Sequence, residues 1–134
     1  MGVDDDSRLG RRRASYVAGV PGFEVVGTVQ SAAEAVRLAK ELRPDLVLLD
    51  EYLPDANGSS VIGRFEAAVI VISAADDAAT VQRALARGAV NYLLKPFAPS
   101  VLVDRLNAFA RFHRLLGGDM RPDPTAVDRA MVVL

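Results

Sequence analysis

Leu46-Val47-Leu48-Leu49-Asp50 decides the reading of this chain: four aliphatic residues without a polar break, then a carboxylate. A strand with one wet face alternates apolar and polar residues. A continuous aliphatic run marks a strand covered on both faces, as in a parallel sheet with helices on either side. The pattern returns at Val69-Ile70-Val71-Ile72, which ends in Ser73, and at Val90 to Leu94, which ends in Lys95-Pro96. Phe23 to Val29 is a further β-rich run.

Helical segments lie between these runs. Ser31-Ala32-Ala33-Glu34 is a capping box, in which the hydroxyl caps a free amide and the glutamate reaches back. The helix it starts, through about Arg43, puts Ala35, Val36, Leu38, Ala39 and Leu42 inward. Leu9 to Val20 predicts a helix with Leu9, Tyr16, Val17 and Val20 inward, stopped by Pro21-Gly22. Within it, Arg11-Arg12-Arg13 reads as a solvated face. Asp76 to Arg87 predicts a helix closed by Gly88. Ser100 to Leu116 predicts the last full helix, with Leu102, Leu106, Phe109, His113 and Leu116 along one stripe. Tyr52 to Ser60 holds Pro54, Asp55, Asn57 and Gly58 and reads as a loop. A short helical piece follows over 61–66; only ten residues separate Gly58 from Val69, so any helix there is trimmed. Strand and helix alternate throughout, which places the chain in the α/β class with a parallel sheet. Gly117-Gly118 opens a linker through Pro122 and Pro124, and Thr125 to Leu134 reads as the start of another helix.

Composition narrows the chemistry. The 134 residues amount to one domain with a short tail. The absence of cysteine excludes disulfide scaffolds, thiolate metal sites and cysteine nucleophiles. A formal charge of −1 gives this segment no electrostatic footprint for nucleic acid. No stretch approaches the roughly 18 apolar residues of a spanning helix, so no membrane contact is expected. Met1-Gly2-Val3-Asp4-Asp5-Asp6 lacks the apolar core of a signal peptide, consistent with a cytoplasmic protein.

In an open α/β sheet, ligands bind beyond the carboxyl ends of the strands. The residues placed there are Asp50, Ser73 and Lys95, joined by Asp4, Asp5 and Asp6 if Val3 ends a first strand. Clustered carboxylates repel one another and favour a divalent cation, and oxygen ligands with room for water suit Mg²⁺. A carboxylate beside such an ion can act as nucleophile toward a phosphoryl group, whose oxygens the ion and Lys95 would neutralise.

These residues resemble the receiver domain of a two-component response regulator. The likeness rests on Asp4-Asp5, on Asp50 followed by Leu53-Pro54 and Gly58, on Ser73-Ala74, and on Tyr92-Leu93-Leu94-Lys95-Pro96-Phe97. It implies a flavodoxin-like three-layer sandwich: a five-stranded parallel sheet of order 2-1-3-4-5 with helices on both faces. The family normally has four or five apolar residues before its acidic pair, forming the central strand; here only Met1, Gly2 and Val3 precede Asp4. The resemblance implies that Asp50 is the phosphoacceptor for a sensor histidine kinase. It implies that Mg²⁺ is held by Asp5, Asp50 and the Tyr52 backbone carbonyl, with Asp4 acting through water. Lys95 would pair with the phosphoryl group, across a cis bond to Pro96. Ser73 and Tyr92 would carry the switch. The face made by the helix over 76–87, the strand over 90–94 and the helix over 100–116 would change its partner contacts, a homodimer among them.

Phe23-Glu24-Val25-Val26-Gly27 and Pro124-Thr125-Ala126-Val127-Asp128-Arg129 resemble the citrate/dicarboxylate-sensing branch, in which a linker leads to a helix-turn-helix DNA-binding domain. On that basis residues 1–116 form the receiver and 117–134 a linker with the start of a truncated output region, and DNA is contacted only through a domain outside this segment. The reading is of a switch controlling transcription, not an enzyme. Its rivals are a degenerate receiver acting as a phosphorylation-independent interaction module and a phosphatase of the haloacid dehalogenase type. The latter wants a second aspartate two residues after the nucleophile, where this chain has Tyr52.

Overall fold

The structure, a computed structural model, describes residues 13–74, 76–116 and 128–133. Helical residues 13–18 (α1) come first. Then follow β1 (Phe23–Val29), α2 (Ala32–Leu42), β2 (Leu46–Asp50), a 3-10 helix (Gly58–Arg64), β3 (Ala68–Ser73), α3 (Ala78–Ala86), β4 (Asn91–Leu94), α4 (Pro99–Leu116) and β5 (Asp128–Val133). The strands form one sheet in the order β1-β5-β2-β3-β4, parallel at every pairing.

Local chemistry sets the helix ends. Ser31 Oγ accepts from Glu34 N at 3.2 Å, as the capping box requires. Asp55 reaches from the following loop to accept from Ala32 N (2.9 Å) and Ala33 N (3.0 Å), a carboxylate at the positive end of α2. Those two amides hold its pKa below the usual carboxylate value. Arg43, at φ 48°, closes α2 in the left-handed conformation. Asp77 caps α3 by accepting from Thr80 N at 3.0 Å, and Gly88, at φ 111°, turns the chain after it. The trimmed segment after Gly58 makes seven residues of 3-10 helix where a longer chain could wind a full α-helix.

The pleat divides the strands between two cores. Val47, Leu49, Val69, Val71, Met131 and Val133 meet α2, the 3-10 helix and α3 on one face. Leu46, Leu48, Ile70, Ile72, Ala130 and Val132 meet α1 and α4 on the other, through Val17, Leu102, Leu106 and Phe109. This is the three-layer α/β sandwich that the aliphatic runs predict. Two inward assignments need correction: Tyr16 faces outward, because Val17 and Val20 take the core side of α1, and Val90 precedes β4 and is exposed.

The last strand is the chief difference from expectation. Residues 125–134 read as a helix start, yet Asp128–Val133 is a strand, and it takes the centre of the sheet. That is the position the resemblance assigned to residues ahead of Asp4; those N-terminal residues lie outside the described ones. β5 pairs with β1 from Phe23↔Asp128 to Val29↔Val133 and with β2 from Leu46↔Ala130 to Leu49↔Val133. Ala130, Met131, Val132 and Val133 are fully buried. A polar clamp fixes the register where the strand begins. Asp128 N donates to Gly22 O (2.8 Å) and Arg129 N to Asp45 Oδ2 (2.9 Å), while Asp45 N donates to Arg129 O (2.8 Å). Arg129 NH1 donates to Leu42 O at 2.6 Å, satisfying a carbonyl at the end of α2. His113, stacked on Phe109, places Nδ1 2.9 Å from Asp128 Oδ1 and ties α4 to the same strand. Residues 128–133, which the sequence reading placed in the linker with the start of an output region, are thus paired into the sheet.

Candidate functional site

Asp50 ends β2, Ser73 ends β3, and Lys95 follows β4 directly. Because β2, β3 and β4 are adjacent and parallel, the three side chains share one edge of the sheet. Lys95 N donates to Ser73 O at 2.8 Å, which holds the chain after β4 against the end of β3. Lys95 Nζ then reaches Asp50 Oδ2 at 3.0 Å. The bond between Lys95 and Pro96 is cis. Asp50 is only 7% exposed, so this ion pair is poorly screened.

The residues flanking Asp50 hold it in place. Glu51 is 2% exposed; its Oε1 accepts from Ser59 N (3.0 Å) and Ser59 Oγ (2.8 Å), and its backbone O accepts from Gly58 N (2.6 Å). A Cβ at Gly58 would run into the Asp50 carbonyl oxygen, so the close return of the loop requires glycine. Tyr52 is 62% exposed and bridges to Asn57 across that loop. Ser73 is fully buried, and Tyr92 lies on the neighbouring strand. Burial raises the pKa of the Tyr92 phenol, the Ser73 hydrogen bond opposes the rise, and the negative charge of Glu51 adds to it.

One member of the pocket escaped the sequence reading. Arg13 is 7% exposed, with NH1 3.9 Å from Asp50 Oδ2, so it does not belong to a solvated face. Burial lowers its pKa, and the charge of Asp50 opposes that shift. The Arg11-Arg12-Arg13 run concealed it: three adjacent arginines look like one solvated charge run, whereas Arg13 turns toward Asp50.

The donors present among the described residues suit a hard cation: the Asp50 carboxylate at a strand end and main-chain carbonyls in the loop after it. Among the described residues, the cations facing Asp50, Arg13 and Lys95, both approach Oδ2. Asp4 and Asp5, the other expected ligands, lie outside the described residues. Among the described residues no cluster of three or more metal-binding side chains occurs.

A parallel α/β sheet with a lysine-paired aspartate at its carboxyl edge defines a class, and comparison supplies the family. Residues 1–107 match the response regulator receiver domain, and the chain belongs to that family. It is 36% identical over 114 residues to the transcriptional regulatory protein DcuR of Escherichia coli, covering 80% of this chain and 48% of that one. It is 33% identical over 122 residues to the transcriptional regulatory protein CitT of Halalkalibacterium halodurans, covering 86% and 53%. The chain thus spans about half the length of the curated relatives it matches. Among solved structures, the receiver domain of NarL from Mycobacterium tuberculosis superposes with a TM-score of 0.71 at 30% identity, covering 79% of this chain and 90% of that one. The complex of CheX with CheY, BeF3 and Mg²⁺ from Borrelia burgdorferi gives 0.69 at 26% identity, covering 77% and 82%. The family match ends before β5, so the strand at the centre of the sheet comes from outside the matched span.

Proposed function

We propose that Asp50 is the phosphoacceptor of this receiver domain and that a sensor histidine kinase supplies the phosphoryl group. The observation that carries the reading is the 3.0 Å contact from Lys95 Nζ to the buried Asp50 Oδ2 at the carboxyl edge of the sheet. A carboxylate oxygen of Asp50 attacks phosphorus. The bond from phosphorus to the donor imidazole nitrogen breaks, and its electron pair stays on that nitrogen. Lys95 neutralises charge on the phosphoryl oxygens as it is transferred. Mg²⁺, held by Asp5, Asp50 and the Tyr52 carbonyl with Asp4 acting through water, would lower the electrostatic cost of bringing the donor to a carboxylate.

Ser73 and Tyr92 form the switch. Ser73 closes β3 beside Asp50 and Tyr92 sits on the adjacent β4, near enough for the serine hydroxyl to act on the phenol, so a new acceptor on Asp50 draws that hydroxyl away. The readout is the face of α3, β4 and α4, where Leu85, Leu94, Phe112 and Leu115 are exposed and available to a second copy or another protein. The whole protein acts in the cytoplasm as a transcriptional regulator, through an output domain outside this sequence. Among the described residues no helix is long and apolar enough to cross a membrane.

Incubation with acetyl phosphate and Mg²⁺ followed by a phosphate-affinity gel tests the assignment. The wild-type chain shifts and Asp50→Asn does not; a shift that persists in Asp50→Asn overturns it.

A further inference from the structure

Arg13 has no part in the mechanism above, yet its position demands an account. The side chain is more than nine-tenths buried, and NH1 has no hydrogen-bond partner among the described residues. Buried donors without acceptors are rare. NH1 faces Asp50 Oδ2 from 3.9 Å, beyond hydrogen-bond reach, while Lys95 occupies the same oxygen at 3.0 Å. NH1 therefore faces the carboxylate without a hydrogen bond to it. A phosphoryl group brings three strong acceptor oxygens, and a guanidinium offers the forked donors that match them.

We infer that Arg13 is a phosphoryl-binding residue: its NH1 donates to an oxygen of the group carried by Asp50, opposite the donation from Lys95. The inference rests on the reading of Asp50 as phosphoacceptor. With acetyl phosphate as donor, a P–O bond forms at Asp50 and the P–O bond to acetate breaks, acetate leaving with the electron pair. Arg13 exchanges no proton; it enters as a cation whose hydrogen bond to this site forms only when the tetrahedral group arrives. The buried donor thus favours the occupied over the empty pocket, which is the differential contact a switch requires.

The test measures the affinity of beryllofluoride in Mg²⁺, by ¹⁹F NMR, for the wild type, Arg13→Met and Arg13→Lys. Arg13→Met keeps the buried stem and removes the donors, so binding weakens by about tenfold or more, the size of one charge-assisted hydrogen bond. Arg13→Lys restores part of that loss. A purely structural role would lower thermal stability and leave the affinity of the folded protein unchanged, and equal affinity in Arg13→Met and wild type overturns the inference alone. A wild-type chain that neither binds beryllofluoride nor takes up phosphoryl overturns the Asp50 reading and this one together. If Arg13→Met does not fold, the Arg13 Nε signal of the ¹⁵N-labelled wild type decides: it shifts when beryllofluoride binds, and an unmoved signal rejects the contact.

Discussion

Ser73 is fully buried at the end of β3, so the hydroxyl that would meet a phosphoryl group on Asp50 is shielded from water. Removing it should separate uptake from response. Ser73→Ala should be phosphorylated by acetyl phosphate at close to the wild-type rate, while the change in the NMR signals of Tyr92 on phosphorylation shrinks; a full Tyr92 response in Ser73→Ala would remove the serine from the switch. Asp50, Ser73 and Lys95 were legible from sequence because each follows an aliphatic run directly, and parallel strands bring such positions to one edge. Arg13 was not legible, since a run of three arginines carries no sign that any of them is buried. Nor was the internal tie of Glu51 to Ser59: a glutamate next to an acidic residue looks like a surface pair until the loop is seen to fold back over it.

At the scale of elements, runs of four aliphatics, a capping box and glycine stops gave β1 to β4 and α2 to α4 nearly their true limits. The contact of Asp55 with α2 was invisible, because it joins a loop to a helix more than twenty residues earlier. That contact predicts a pH effect. The folded pKa of Asp55 lies below its unfolded value, so the unfolded state binds the proton first. The stability it contributes is complete above the ordinary carboxylate value, near pH 4, and is lost as pH falls through the depressed folded value. Asp55→Asn should therefore show a shallower decline of the urea midpoint as pH falls below about 4 than the wild type; parallel declines would show that the carboxylate does not stabilise α2. The fate of 128–133 was misread for a different reason. Ala-Met-Val-Val is too short for periodicity to separate a buried strand from a helix, and the decision falls to a sheet vacancy that no local pattern reports.

At the scale of the molecule, β5 is the joint of the sheet. β1 reaches the other strands only through it, and its side chains enter both cores. Met131→Ala, at a fully buried site between β1 and β2, should cost about 2–5 kcal/mol in urea unfolding. A loss below about 1 kcal/mol would mean that the strand is not seated as described, since a surface substitution has an effect of that order. The placement also dictates an order of assembly. During synthesis β2, β3 and β4 can pair with one another as they emerge, but β1, made earlier, has to wait roughly a hundred residues for its neighbour. Until residue 133 clears the ribosome, the nascent chain carries two unpaired strand edges flanking an empty lane, a condition that invites capture by chaperones or by other unfinished chains.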